Sequence, residues 1–435
     1  MTEVLEKVIR AADPAPRRLA ILSKLGPGLI TGASDDDPSG IATYSQAGAQ
    51  FGFNLGWTLV ATWPLMCAVQ EICARTGRVT GRGLAGNFKR HYPAAAVYPL
   101  IALLVLANVI NLGADLGAMG AALALVAGGP AHLYVALFAI ASCLLEIFTR
   151  YARYVAILKW LTLSLFSYVA VVLVVGTPWA EVGARLLAPH FRFDGQAVTM
   201  IVAILGTTIS PYLFFWQAQE EAEETRIRPG AKPLLRAAGE APGELRRIRL
   251  DTVVGMGFSN LVALFIVLAT ATTLHARGIT DIQTSAQAAE ALRPIAGDLA
   301  FFIFALGIIG TGLLAIPVLA GSAAYALGES AGWHVGLSRQ PGRAKIFYGV
   351  IAAATLLGAL LNFSAIDPVK GLFWAAVING VAAVPIMCLL MLLASRRAAM
   401  GEFTIPPLLK LLGWFATLVM AAAAIAMAAS WGTGS

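Results

Sequence analysis

The sequence predicts an all-α membrane protein with about eleven transmembrane helices, and three observations carry that expectation. Of the 435 residues, 58% are hydrophobic and only 13% charged, against roughly 25% charged in a soluble domain. With a mean hydropathy of +0.75, too little polar surface remains to coat a globule of this size, which excludes an ordinary soluble enzyme. The apolar excess gathers in long runs such as Ala131–Phe148 and Leu408–Trp431, close to the ~20 residues a helix needs to cross a bilayer. The basic residues, finally, fall in alternate connections rather than evenly along the chain.

Residues 1–24 are polar and charged, read as a cytoplasmic segment, and lack the cleavable apolar stretch of a signal peptide. Apolar periodicity and helix breakers then place spans at 25–49, 52–74, 97–127, 131–148 and 154–176, followed by 197–222, 252–275, 298–327, 346–363 and 370–395, and lastly 407–431. The core is thus 25–395, with a first set of five spans in 25–176 and a second in 197–395; 396–435 carries the eleventh helix and a short C-terminus. With the N-terminus inside, 25 of the 31 Lys and Arg fall on the cytoplasmic side, five on the other, and Lys159 within span 5. That bias satisfies the positive-inside rule and places the C-terminus outside. The basic pI of about 9.3 is therefore a topology signal and not a nucleic-acid footprint. The longest loop, 223–251, mixes charge with Gly and Pro and reads as a flexible cytoplasmic connector. The four cysteines lie in apolar runs without a CxxC pair, so they read as packing thiols rather than a disulfide or zinc framework.

Two spans are interrupted. Span 1 contains Ser34-Asp35-Asp36-Asp37-Pro38-Ser39-Gly40 after Gly26-Pro27-Gly28. Ionisable groups inside a membrane are costly and mark ion or substrate paths, and Pro38 disfavours helical geometry at Asp37. Span 6 contains Gly206-Thr207-Thr208-Ile209-Ser210-Pro211-Tyr212. The two breaks lie five spans apart, as expected for two inverted repeats that each open with a discontinuous helix and meet at a midplane binding site. Ordinary proline kinks are the bland alternative, but they leave three aspartates unexplained. On a helix Asp35, Asp36 and Asp37 would spread over roughly 200°. Unwinding frees Asp37 as a ligand and favours a cation, whereas Asp35 and Asp36 also suit hydrogen bonds to neighbouring helices.

These residues resemble the natural resistance-associated macrophage protein (NRAMP) family of divalent-metal transporters over nearly the whole chain. Gly26-Pro27, Asp37-Pro38-Ser39-Gly40, Ala42-Thr43 and Gln46-Ala47-Gly48 resemble its first helix. Ala74–Gly81 resembles the stretch after helix 2, Ala114-Asp115-Leu116 helix 3, and Gly206–Pro211 the break in helix 6. The resemblance implies a leucine-transporter-like fold of two inverted five-helix repeats. It also implies a metal site at Asp37 and at the positions here occupied by Gly40 and Ser210, where the family has an Asn and a Met. Exchanging a soft thioether for a hydroxyl removes a device for rejecting hard ions, and these exchanges resemble the family's magnesium-transporting bacterial branch. Tyr212, Gln217 and Ala118 stand where the family has two His and a Glu, and none titrates near neutral pH. Asp115 remains, so the proton relay reads as incomplete.

Among the other polar residues, Asn108, Asn111 and Asp115 share one face of span 3, suited either to a path or to helix packing. Asn379 in span 10 suits ligation through water or packing, Thr207 a carbonyl or hydroxyl at the break, and Asn260 is a weaker candidate. The acidic run after Gln217 suits either pairing with arginines or a cation vestibule, and the five histidines read as solvated or interfacial. The expected function is a divalent-cation carrier of the inner membrane, with Mg²⁺ favoured and Mn²⁺ accepted, working by alternating access without proton coupling. Asp37 is the main charge partner, Asp36 or Asp35 hold coordinating water, and carbonyls near Thr207 and Ser210 complete the shell. It needs no bound cofactor; its partners are the ion and the bilayer, and no protein partner is evident. The alternatives are a proton-coupled Mn²⁺ or Fe²⁺ importer, a carrier of amino acids or organic cations, and a non-transporting sensor or scaffold. A membrane enzyme is the weakest alternative, since the sequence shows no nucleophile–base pair and no HExxH motif.

Overall fold

Proline and aspartate start the helices that matter most. Pro38, Pro211 and Pro368 each occupy a first helical turn, where the missing amide donor costs nothing. Asp37, Asp194 and Asp367 cap the helices that follow them by accepting otherwise orphaned amides. The computed structural model describes residues 31–32, 34–148, 161–190, 194–228, 230–363 and 367–432. Lys159, Gly26-Pro27-Gly28 and the segment 1–24 lie outside these. In chain order the principal helices are α1 Pro38–Phe51, α2 Gly56–Thr80, α3 Leu84–His91, α4 Ala94–Ala127 and α5 Ala131–Phe148. Then come α6 Phe166–Val174, α7 Trp179–Leu187, α8 Gly195–Thr208, α9 Pro211–Ile227 and α10 Ala241–Thr273. The last four are α11 Ala300–Ala331, α12 Lys345–Leu361, α13 Pro368–Ala394 and α14 Pro407–Gly432.

Each of the eleven expected spans falls on a helix or a broken helix among the described residues. Among the described residues seven helices are long and apolar enough by themselves to cross a membrane, and an eighth span arises if a bent pair is joined. The others fall short for identifiable reasons. Span 1 is split at Asp36–Asp37, α2 carries Glu71, Arg75 and Arg78, α6 is the described end of span 5, and α12 is a residue too short.

Packing follows an exchange pattern. Span 1 (α1) packs on span 7 (α10), and span 6 (α9) packs on span 2 (α2); spans 3 and 8 (α4 and α11) pack on each other. Swapping spans 1–5 with 6–10 maps this set onto itself, which is the pairing that two inverted repeats require. Leu133, Leu137, Ile140 and Leu144 on α5 and Leu411, Phe415, Leu418 and Ile425 on α14 are exposed, giving outward apolar faces for lipid.

One expectation needs correction. The connector 223–251 is mostly helix: α9 runs to Ile227 and α10 starts at Ala241. Arg247 holds both ends, 2.6 Å from Glu221, 3.2 Å from Glu224 and 3.1 Å from Glu244, so the charged stretch reads as loop only while its partners are unseen. After span 5 the chain turns by 110° into α7 at Gly176, whose φ of +73° lies in the region glycine enters without strain.

Candidate functional site

The break in span 1 ends a short helical stretch at Asp35, leaves Asp36 and Asp37 non-helical, and restarts at Pro38. Asp37 adopts an extended backbone (φ −70°, ψ 170°). Its Oδ1 accepts the Gly40 amide at 2.7 Å, which is a helix cap. Its Oδ2 accepts from the Asn111 side-chain amide of α4 at 3.0 Å and the Tyr212 phenol of α9 at 3.3 Å. The Tyr212 hydroxyl also lies 3.4 Å from the Ser34 carbonyl. One carboxylate thus joins both broken helices and the central span 3.

Asp35 and Asp36 turn to α10 instead. Ser259 places its hydroxyl 2.6 Å from Asp35 Oδ2 and 3.2 Å from Asp36 Oδ1. That hydroxyl has one hydrogen for two claimants, and Asp35 Oδ1 has no partner among the described residues. Asp115 faces the Ser39 amide, yet among the described residues neither of its oxygens completes a well-formed hydrogen bond. All four carboxylates are buried, and none of them pairs with a cationic side chain among the described residues. Burying negative charge is costly without a counter-charge. As four ionised carboxylates the cluster would be electrostatically incomplete, and either protons or a cation would neutralise it. No three His, Cys, Asp or Glu side chains among the described residues converge as a ready-made metal cage, so an ion held here would draw on carbonyls, hydroxyls, amide oxygens and water as well.

The second break supplies such groups. Span 6 stops at Thr208 and restarts at Pro211, with Ser210 extended (φ −82°, ψ 133°). The Ser210 hydroxyl lies 2.6 Å from the Gly206 carbonyl and 2.8 Å from that of Thr207, so its hydrogen is turned back onto the end of α8. Thr207 Oγ1 lies 2.9 Å from both the Ile204 carbonyl and the Tyr44 hydroxyl. A Cβ built on Gly40 would stand 3.4 Å from Asp37 Oδ1 and 3.3 Å from the Tyr44 ring. A side chain at position 40 would therefore enter the space beside the carboxylate.

Asn379 is buried on α13 with its Oδ1 unpartnered, next to the crossing where Gly206 of α8 meets the backbone of Ala376 and Gly380. Gln217 takes the Thr31 hydroxyl on its Oε1. Ala118 is buried beneath α1, against a small void shared with Ile41 and Ser45. The polar face of span 3 divides: Asn111 reaches Asp37, whereas Asn108 donates to Leu319 O and Ser322 Oγ of α11 and so joins two helices. Asn260 donates to Leu59 O, also between helices. The sequence reading missed Ser259 and Tyr44, and the only signal for Ser259 was a lone hydroxyl beside the asparagine that was weighed. Adjacent helical residues point ~100° apart, so the choice between them waits on the packing.

The two ends of the helical frame differ. Beyond the C-terminal half of α1, a cavity of about 410 Å³ is lined by Gln46, Gln50, Gln196, Asp281 and Lys370, among others. At the opposite end, the acidic run of α9 is engaged: Glu221 and Glu224 bind Arg247, and Glu223 accepts the Tyr325 hydroxyl at 2.6 Å and the Ser338 amide at 2.7 Å.

Residues 28–430 match the family model described as natural resistance-associated macrophage protein-like. The chain is similar to the divalent metal cation transporter MntH of Chromohalobacter salexigens, 27% identical over 314 residues covering 68% of each chain. Its fold is similar to the crystal structure of the Eremococcus coleocola manganese transporter, with a TM-score of 0.74, 15% identity, and coverage of 96% of this chain and 88% of that one. A similar fold occurs in MhsT in complex with L-phenylalanine, with a TM-score of 0.62, 12% identity, and 94% and 97% coverage. A match across more than nine-tenths of the sequence, on a helical frame broken at the two expected places, makes this chain a multi-pass membrane protein of the Nramp family.

Proposed function

We propose that the chain is a carrier of divalent metal cations, moving Mg²⁺ by preference and also Mn²⁺ across the inner membrane by alternating access without proton coupling, with its N-terminus cytoplasmic and its C-terminus outside. The carrier class is supported by the names of its relatives, a divalent metal cation transporter and a manganese transporter. The preference for Mg²⁺ is carried by one observation: at the second break the Ser210 hydroxyl lies against the Gly206 and Thr207 carbonyls, so that position 210 offers oxygen and not a thioether. Oxygen-rich sites suit Mg²⁺ and Mn²⁺, whereas thioethers select softer metals. In this reading Asp37 supplies the main charge, and Asp36 and Asp35 hold coordinating water. Carbonyls near Thr207 and Ser210, with Asn379 through water, complete an outer shell around a partly hydrated ion. Gly40 leaves room for that shell, and the membrane potential drives uptake.

A second reading, a proton-coupled Mn²⁺ or Fe²⁺ importer, is favoured by Asp115, a buried carboxylate close to Asp37 whose oxygens lack well-formed bonds. Proteoliposomes carrying one dye for Mg²⁺ or Mn²⁺ and another for internal pH separate the two. Saturable Mg²⁺ uptake without acidification is expected. Mn²⁺ uptake that acidifies the lumen, with no Mg²⁺ uptake, would return the protein to the second reading.

The same liposomes test the role of position 210. Ser210→Met places a thioether at the helix break, and Mn²⁺ uptake is expected to rise relative to Mg²⁺ by about tenfold, the equivalent of ~1.4 kcal/mol of selectivity. An unchanged ratio in a folded variant would show that this side chain does not face the ion.

A further inference from the structure

We propose that a basic cavity on the cytoplasmic side, separate from the ion path, binds a phosphate-bearing anion. The cavity holds about 540 Å³ and is lined by Arg82, Lys89, Arg90, Arg226 and Arg339 with a single carboxylate, Glu329. That volume falls within the ~300–1,000 Å³ typical of small-ligand sites. The positive-inside rule explains the sign of these residues, and the dipole of α3 favours Lys89 and Arg90 in its last turn. Neither explains why three separate parts of the chain bring cations to one concavity: the start and end of α3, the end of α9, and the segment after α11.

The cations are also unpaired. None of the five lies within ion-pair distance of a carboxylate among the described residues, although ten other ion pairs are formed elsewhere. Glu329 is already engaged, since its two oxygens accept the Gly83 and Gly86 amides at 2.8 Å each. It thereby occupies the N-terminal end of α3 and fixes that helix as one wall. Gly332 makes the opposite turn with φ +81°; a Cβ there would stand 3.9 Å from Lys89 Nζ. Trp333 and His334 follow at the rim, both exposed. Guanidinium groups match phosphate oxygens in paired hydrogen bonds. Basic pockets between transmembrane helices on the cytoplasmic side take anionic headgroups, and an exposed Trp suits the interface level. A phosphodiester headgroup and a soluble phosphate share this chemistry.

The test uses the full chain in phosphatidylcholine nanodiscs, with phosphatidylglycerol as the lipid probe, followed by native mass spectrometry, and pyrophosphate as the soluble probe, followed by calorimetry. Lys89→Gln with Arg226→Gln is expected to weaken the bound probe at least tenfold. Arg343→Gln with Lys345→Gln, which removes equal charge on the same side outside the cavity, is expected to change it less than twofold. Phosphatidylglycerol retention alone assigns a lipid headgroup, pyrophosphate binding alone a soluble anion, and mutual displacement a site open to both. Each of these supports the proposal. Equal weakening by both double variants, or no saturable binding of either probe, overturns it. If the first double variant is not monodisperse, Arg339→Gln serves in its place, because among the described residues that guanidinium is tied only to the Val335 carbonyl.

Discussion

Exchanging Asp37 for asparagine is expected to abolish measurable divalent-cation uptake while leaving a folded protein. Asparagine caps helices as well as aspartate does, so the bond to the Gly40 amide that starts α1 survives. Its amide nitrogen then takes the place of Oδ2 and can donate to the Tyr212 hydroxyl oxygen or to Asn111 Oδ1 once that amide turns over. What disappears is the negative charge. Removing one partner of a buried charge pair costs about 3–5 kcal/mol, which corresponds to about two to four decades in affinity. Asp37→Ala removes charge and cap together and is expected to lose stability as well, about 1 kcal/mol for the cap alone. Uptake in liposomes, paired with chromatographic monodispersity, separates the two effects. If Asp37→Asn is monodisperse and keeps half of the wild-type uptake, the ion does not bind at the span 1 break.

How much of this site was legible in the sequence depends on which force wrote each feature. The breaks at Asp37–Pro38 and Ser210–Pro211 were readable because proline acts locally: it removes an amide and constrains the residue before it, wherever the neighbours lie. The spans were readable because bilayer thickness imposes their length. Partner choice was not, because it depends on helix rotation. Asn108 and Asn111 lie on the same face of α4, yet one ties to α11 and the other to Asp37. Asn260, the polar residue weighed in span 7, packs on Leu59 O, while its neighbour Ser259 meets the aspartates. The stretch 223–251 failed for a related reason, since its helical ends are held by ion pairs that join residues up to 26 positions apart.

Gly206→Val is expected to prevent assembly of the second broken helix. A Cβ on Gly206 would lie 2.0 Å from the Ala376 carbonyl oxygen, 2.6 Å from the Gly380 nitrogen and 2.9 Å from its Cα. The obstacle is entirely backbone, so no rotamer can relieve it and α8 must move away from α13. The reverse contact is also too close for a side chain, because a Cβ on Gly380 would lie 2.7 Å from Val202 O. Small residues let membrane helices approach this closely, and here the crossing lies one turn before the break, beside Asn379. Overpacking of a core costs about 1–3 kcal/mol and sometimes more, so Gly206→Ala should lower the melting temperature and uptake together, and the valine should yield little monodisperse protein. Helix propensity alone argues the opposite sign, since alanine is favoured over glycine by roughly 0.8–1 kcal/mol in a helix interior. Gly349, within α12, meets nothing within 4 Å of such a Cβ, so Gly349→Ala should melt no lower than wild type. Equal melting of Gly206→Ala and Gly349→Ala would mean that α8 and α13 do not touch at this point, and the placement of Ser210 and Asn379 at one site would fall with it.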